Sequence, residues 1–149
     1  MKNISPNVPE LIGQMIMVGM KGHDDAAAKD FFELNQGHQI GGIILYDEDI
    51  TISPPSLHNI RSPKQLQKLT SCLQRLSDIP LLIGIDQEGG KVNRLKARYG
   101  FDSSTSWENL GKINDLKQTA SEALRTAKTL KENGINLNFA PVLDLLLSK

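Results

Sequence analysis

The chain has 149 residues, of which 39% are hydrophobic and 23% charged, the balance of an ordinary globular domain. The 17 basic residues offset the 17 acidic ones, so the zero net charge and the lack of a basic run give no support for a nucleic-acid partner, and we expect none. The single cysteine, Cys72, excludes an internal disulfide and is typical of a reducing compartment. We expect one domain, residues 1–149, with Cys72 as a small buried residue on a helix.

The N-terminal segment matches neither a secretory signal nor a membrane span. Pro6, Pro9, Glu10 and Gln14 interrupt every apolar run there. No window elsewhere approaches the ~20 apolar residues that a span requires. We therefore expect a soluble, cytoplasmic protein without a membrane partner.

Four apolar runs predict β-strands. They are Met15–Gly19, Gly41–Tyr46, Leu81–Asp86 and Asn136–Val142. The second and third are short, continuous and rich in β-branched residues, which is typical of strands buried on both faces.

Helices are predicted between these strands. The first is capped by Asp24 or Asp25 and ends at Gly37. The second begins at Ser62, with Pro63 in its first turn and Gln65 at the capping-box position. Its apolar stripe consists of Leu66, Leu69, Leu73 and Leu76.

The third helix begins at Asp115, has Gln118 three residues later, and ends before Gly134. Its inner face is predicted to comprise Leu116, Ala120, Ala123, Leu124, Ala127 and Leu130. Strands and helices therefore alternate, which predicts an α/β fold with right-handed crossovers and a parallel sheet. Two long loops, 47–61 and 87–114, follow the second and third strands, where such folds build their sites.

The third strand runs directly into two carboxylates. Asp86 either accepts hydrogen bonds from hydroxyl groups or works as an acid or base, or else it only caps the turn. Glu88 could pair with Asp86, but we favour a structural role in which it binds backbone N–H groups or an arginine.

Gly89–Gly90 permits positive φ and a close backbone approach, and it weakly suggests phosphate binding, although no complete phosphate-binding motif is present. Lys91 and Arg94 follow. The Arg94 guanidinium suits bidentate contact with carboxylates or hydroxyls, or an ion pair with Glu88 or Asp86.

The histidines and Trp107 are further candidates for a functional site, but structural roles are favoured for them. His23, His38 and His58 lack metal-ligand spacing, so we expect solvated or capping histidines. Trp107 could form a platform for a sugar ring, but packing is the favoured role. We expect neither a metal nor a cofactor.

Four ordered motifs resemble glycoside hydrolase family 3, in particular its β-N-acetylhexosaminidase branch. They are "IGQMIMVGM" (12–20), "IGGIILYDEDI" (40–50), "IGIDQEGGKVNRL" (83–95) and "GINLNFAPVLDL" (134–145). The resemblance implies a (β/α)₈ barrel, a retaining mechanism, and an N-acetylglucosamine-containing saccharide from bacterial cell walls as the substrate.

The resemblance also implies roles for individual residues. Asp86 matches the aspartate that binds sugar hydroxyls, and Arg94 matches a substrate contact of the hexosaminidase branch. Lys91 stands where arginine is more usual, and Asp144 matches a structural position near the cleft.

The family's "KHFPGHG"-type loop and its nucleophile segment have no counterpart, so no catalytic residue is assigned. Because a barrel needs ~250 residues, we expect the first half of one: a truncated chain that is inactive alone and has two open strand edges. It would self-associate or need the missing C-terminal half.

Two further hypotheses come from other classes. The chain could be a non-catalytic carbohydrate-binding or assembly half-barrel. It could also be a nucleotide- or phosphate-binding domain that uses Gly89–Gly90, which the missing phosphate motif makes the weaker interpretation.

Overall fold

The computed structural model describes residues 7–35 and 39–144. The α-helices are α1 (Val8–Gln14), α2 (Asp25–Leu34), α3 (Pro63–Leu76), α4 (Trp107–Ile113) and α5 (Leu116–Glu132). The strands are β1 (Met17–Gly19), β2 (Gly42–Leu45), β3 (Glu48–Asp49), β4 (Ser56–Leu57), β5 (Leu82–Ile85) and β6 (Leu137–Asn138). A 3₁₀-helix covers Ala97–Tyr99.

Four of the strands form one parallel sheet in the order β1-β2-β5-β6. Ile43 is in register with both Val18 and Ile83, and Ile85 is in register with Asn138. This arrangement confirms the predicted α/β fold and corresponds to the first four strands of a parallel barrel. Within the described ranges, β1 and β6 each have one neighbour, so both are edge strands.

The two faces of the sheet differ in burial. Ile43 and Ile83 are fully buried, and they join Leu66, Leu69 and Leu73 of α3 in the main core. On the opposite face, Leu82 is 51% exposed and Phe139, just after β6, is 50% exposed. The face covered by helices is therefore buried in the hydrophobic core, whereas the inner face is exposed, as expected for half a barrel.

The predicted helix starts are confirmed. Asp24 accepts a hydrogen bond from the Ala27 backbone N–H, and Ser62 accepts one from the Gln65 N–H. Asp115 caps α5 by accepting from Lys117 and Gln118. These side chains satisfy backbone donors that have no partner inside the helix. The predicted helix end at Gly37 lies outside the described residues.

The predicted inner face of α5 was wrong. Of its members only Leu130 is buried; Leu116 and Leu124 are 87% and 72% exposed. Glu122 and Arg125 instead face the loop near Ser103, where Arg125 pairs with Glu122 and donates a hydrogen bond to the Ser103 carbonyl. The face of α5 that packs against the rest of the described chain therefore carries polar contacts, whereas most of its apolar stripe is exposed.

The strands are shorter than predicted, and the long loops contain structure that the sequence interpretation missed. The last predicted strand, Asn136–Val142, is reduced to the two residues of β6. Loop 47–61 contains the β3–β4 hairpin, and loop 87–114 contains the 3₁₀-helix and α4. No helix in ranges 7–35 and 39–144 is long and apolar enough to cross a membrane.

Candidate functional site

Two carboxylates leave neighbouring strands at the same edge of the sheet, and one arginine lies between them. Asp47 follows β2 and Asp86 follows β5. The Arg94 Nη1 atom lies 3.4 Å from Asp47 Oδ1, and its Nη2 atom lies 3.5 Å from Asp86 Oδ2. The structure thus brings the two predicted site residues, Asp86 and Arg94, together, each with just over a quarter of its side chain exposed.

The charge network continues towards the surface. The Lys96 Nζ atom lies 2.5 Å from Asp47 Oδ2 and 3.1 Å from Glu48 Oε1, and Glu48 also pairs with Arg98. The hydrogen bond from Lys96 lowers the pKa of Glu48, and Arg98 lowers it further. Burial alone would lower the pKa of Lys96, but its hydrogen bonds to Asp47 and Glu48 raise it overall.

The turn after β5 is held by Gln87, and not by Glu88 as we expected. Gln87 is 4% exposed, and its Oε1 atom accepts hydrogen bonds from the backbone N–H groups of Arg94 and Leu95, both 3.0 Å long. Its Nε2 atom donates to Asn93 Oδ1 over 2.8 Å. In the part of the chain that the structure describes, no hydrogen bond or ion pair reaches the Glu88 side chain.

The Gly-Gly pair serves close packing. Gly89 and Gly90 adopt φ values of +79° and +67°, as predicted. A β-carbon on Gly89 would lie 2.1 Å from the Thr105 carbonyl oxygen, and one on Gly90 would lie 2.7 Å from Ser106 Cβ. Because loop 104–106 occupies this space, the glycines are explained without a phosphate.

Two asparagines tie the strand ends together. Asn59 is fully buried; its Oδ1 atom accepts from the Tyr46 N–H, and its Nδ2 atom donates to the Met20 and Gly22 carbonyls. Asn138, at the end of β6, accepts from the Gln87 N–H and donates to the Gln87 carbonyl. These side chains bridge the ends of adjacent strands, so the polar edge of the sheet is rigidly built.

An open cavity of about 450 Å³ lies beside this edge. Its lining includes Lys21, Tyr46, Asp49, His58 and Arg94. Arg94 lines the cavity and also contacts the carboxylates of Asp47 and Asp86, so it connects the cavity with Asp86.

The other candidate residues do not join the site. Lys91 and Asp144 are exposed. Trp107 is partly buried at the start of α4, and its indole N–H has no hydrogen-bond partner among the described residues. Cys72 is buried on α3, as predicted, at 4% exposure. Within 7–35 and 39–144, no group of three His, Cys, Asp or Glu side chains could hold a metal ion. His38 lies outside the described residues.

Sequence reasoning missed Asp47, Asn59, Gln87 and Lys96. For Asp47 a signal was available, because it follows its strand just as Asp86 does, and parallel strands place such residues at one edge. Nothing in the local sequence marks Asn59 or Gln87, since their partners are set by the folded loops.

Known proteins with similar sequences are bacterial enzymes. A β-hexosaminidase of Nitrosomonas eutropha is 38% identical over 112 residues, which cover 71% of this chain and 29% of that protein. One from Thiobacillus denitrificans is also 38% identical, over 71% of this chain and 28% of its own length. The chain therefore spans less than a third of the length of these curated relatives.

Solved structures show the same fold. A glycoside hydrolase family 3 β-N-acetylglucosaminidase from Paenibacillus superposes with a TM-score of 0.80 at 32% identity, covering 95% of this chain and 25% of that one. NagZ from Neisseria gonorrhoeae, in complex with N-trifluoroacetyl-D-glucosamine, gives 0.63 at 27% identity, covering 95% and 39%. The family model of the "Glycosyl hydrolase family 3 N terminal domain" matches residues 7–147. The chain belongs to glycosyl hydrolase family 3 and corresponds to part of its N-terminal domain.

Proposed function

We propose that this chain forms one wall of the sugar-binding site of a β-N-acetylhexosaminidase-type glycoside hydrolase. The observation that carries the proposal is the Asp86–Arg94 pair, at the carboxyl edge of the sheet and inside the family's "IGIDQEGGKVNRL" segment. The partly exposed Asp86 carboxylate would accept hydrogen bonds from sugar hydroxyls. Arg94, which also lines the adjacent cavity, would donate to the same sugar.

We do not place the catalytic nucleophile or the acid/base among the described residues. A retaining glycosidase commonly uses two carboxyl groups about 5–5.5 Å apart that flank the scissile bond. Because Asp86 and Glu88 lie on one turn, we do not assign them as two carboxylates that flank a sugar from opposite sides. The described residues thus support sugar binding, and we assign neither a nucleophile nor an acid/base to them.

The wider role is part of the same proposal and is what the family resemblance implies. The complete enzyme would release terminal N-acetylglucosamine from cell-wall fragments, in the recycling of peptidoglycan in the bacterial cytoplasm. The unpaired, buried Cys72 is compatible with a reducing compartment.

The test is a titration of the ¹⁵N-labelled chain with N-acetylglucosamine, followed by NMR. We expect saturable shifts at the backbone amides of 86–95 that disappear in Asp86→Ala. The control is Asp25→Asn, which removes a carboxylate on α2 that pairs with Lys68 and leaves the site untouched. Absence of saturable shifts in the unmodified chain would refute the proposal. Hydrolysis of a chromogenic N-acetylglucosaminide by that chain, lost in Asp86→Ala, would overturn the assignment of catalysis to other residues.

A second candidate is a non-catalytic half-barrel that acts in assembly. It is favoured by the open inner face, where Leu82 and Phe139 are half exposed, and by the edge strands β1 and β6. Sugar binding without turnover, by a chain that associates with itself or with a complementary half, would support this candidate.

A further inference from the structure

We infer that Asp47 is a positioning residue for the sugar site: it holds one side of the Arg94 guanidinium and thereby keeps Asp86 accessible. The inference rests on the proposed function, because it assigns to Asp47 the control of the Asp86–Arg94 pair. It concerns the loop after β2, which lies outside the "IGIDQEGGKVNRL" segment.

The burial of Asp47 is the first argument. Its side chain has no exposed surface, whereas the Asp86 side chain is 28% exposed. A buried carboxylate is costly unless cations compensate it, and Asp47 has two, Arg94 at 3.4 Å and Lys96 at 2.5 Å. Because its backbone carbonyl also accepts from the His58 N–H, the position of Asp47 is fixed by the β2–β4 region.

The surroundings of Arg94 are the second argument. Its guanidinium contacts Asp47 with Nη1 and Asp86 with Nη2, and it lies 5.5 Å from the centre of the Tyr46 ring. Its backbone is held independently by Gln87. Loss of Asp47 would therefore free the side chain without releasing the backbone.

The Arg94 guanidinium has two terminal nitrogens, and this geometry explains how the loss of Asp47 would affect Asp86. An arginine with one free carboxylate neighbour forms two parallel hydrogen bonds to it, which occupy both oxygens. Here Asp47 engages one nitrogen of Arg94, so only Asp86 Oδ2 is contacted, at 3.5 Å. Asp86 Oδ1 stays available for a sugar hydroxyl. Without Asp47, Arg94 would close onto Asp86 and compete with the sugar.

The first experiment needs no sugar. In Asp47→Asn, which keeps the shape of the side chain, the ¹³C resonance of the Asp86 carboxylate and the ¹⁵N resonances of the Arg94 guanidinium should both move. Both should stay in place in the control Asp25→Asn. Unchanged resonances in a folded Asp47→Asn protein would overturn the inference. If that variant does not fold, Arg94→Lys keeps the charge but removes the fork; an unmoved Asp86 resonance there would be equally decisive against it.

The second experiment is a double-mutant cycle on the Kd for N-acetylglucosamine. Asp47→Asn should weaken binding about tenfold when Arg94 is present, the size expected for one charge-assisted hydrogen bond. In an Arg94→Gln background it should change Kd less than twofold, because Asp47 acts through Arg94. Equal weakening in both backgrounds would mean a general structural role and would refute the inference. A chain that binds no sugar would refute the proposed function, while the resonances of Asp86 and Arg94 would still decide the role of Asp47.

Discussion

Gly89 lies so close to the backbone of Thr105 that a β-carbon at position 89 would come within 2.1 Å of the Thr105 carbonyl oxygen. The φ of Gly89 is +79°, a region that other L-residues rarely adopt. This contact joins the turn that follows Asp86 to loop 104–106. The shape of the candidate site therefore requires a residue without a side chain at position 89.

Replacement of Gly89 by alanine should therefore be strongly destabilising. The left-handed conformation costs about 1–2 kcal/mol, and displacement of the Thr105 carbonyl adds to it, so we expect a loss of about 2 kcal/mol or more. Urea unfolding measures the effect. The matched control is Gly111→Ala in α4, where a β-carbon meets nothing within 4 Å and should stabilise the helix by about 0.5–1 kcal/mol. Equal effects at the two glycines would contradict the packing described for Gly89.

Two helical leucines should respond very differently to truncation. Leu69 of α3 is fully buried in the core, and Leu69→Ala should cost about 2–5 kcal/mol by leaving a cavity. Leu124 of α5 is 72% exposed, so Leu124→Ala should stay within about 0.5 kcal/mol. Denaturant unfolding of both variants tests the observed rotation of α5. A large loss of stability in Leu124→Ala would instead support the apolar inner face that the sequence pattern predicts.

The lowered pKa of Glu48 predicts a pH-dependent contribution to stability. Lys96 and Arg98 favour the charged form, so Glu48 stabilises the fold above its ordinary pKa of 4.5, and this contribution disappears as the pH falls through the lower folded-state pKa. Glu48→Gln should therefore reduce Tm at pH 7, and its difference from the unmodified chain should shrink as the pH is lowered stepwise from 4.5 and Glu48 becomes protonated. Thermal melts followed by circular dichroism would show this convergence. A difference that does not shrink anywhere in the acid range in which the chain stays folded would mean that the charge of Glu48 contributes nothing.

The open inner face predicts association of the isolated chain. Leu82 is half exposed on a sheet whose outer strands, β1 and β6, each pair on one side among the described residues. Sedimentation velocity should show association that grows with concentration, and Leu82→Lys should reduce it. Leu34→Lys, at an 85% exposed position on α2, serves as the control and should leave association unchanged. A monomer that melts sharply and cooperatively would count against this prediction.

Much of the fold was predictable because its signals are local. The apolar runs identified all four strands of the parallel sheet, although β6 is shorter than its run. The capping residues Asp24, Ser62 and Asp115 lie where the helices begin. Such signals act over a few residues, so they survive without knowledge of the tertiary structure.

The rotation of α5 was not predictable in the same way. Its apolar stripe is a valid helical pattern, but in the structure Glu122 is mostly covered and Leu124 is 72% exposed. A stripe shows which face is apolar, whereas contacts distant in sequence determine what covers that face.

By itself, the sequence determined the α/β alternation, the helix caps, the positive-φ glycines and the position of Asp86 at the end of a strand. Only the tertiary structure decided that Asp47 and Asp86 share Arg94 and that Gln87 holds the turn. The reason is physical: a strand end is encoded by its own residues, but the partner of a charge depends on how neighbouring strand ends and the loops after them pack together, which here brings Arg94 to Asp47.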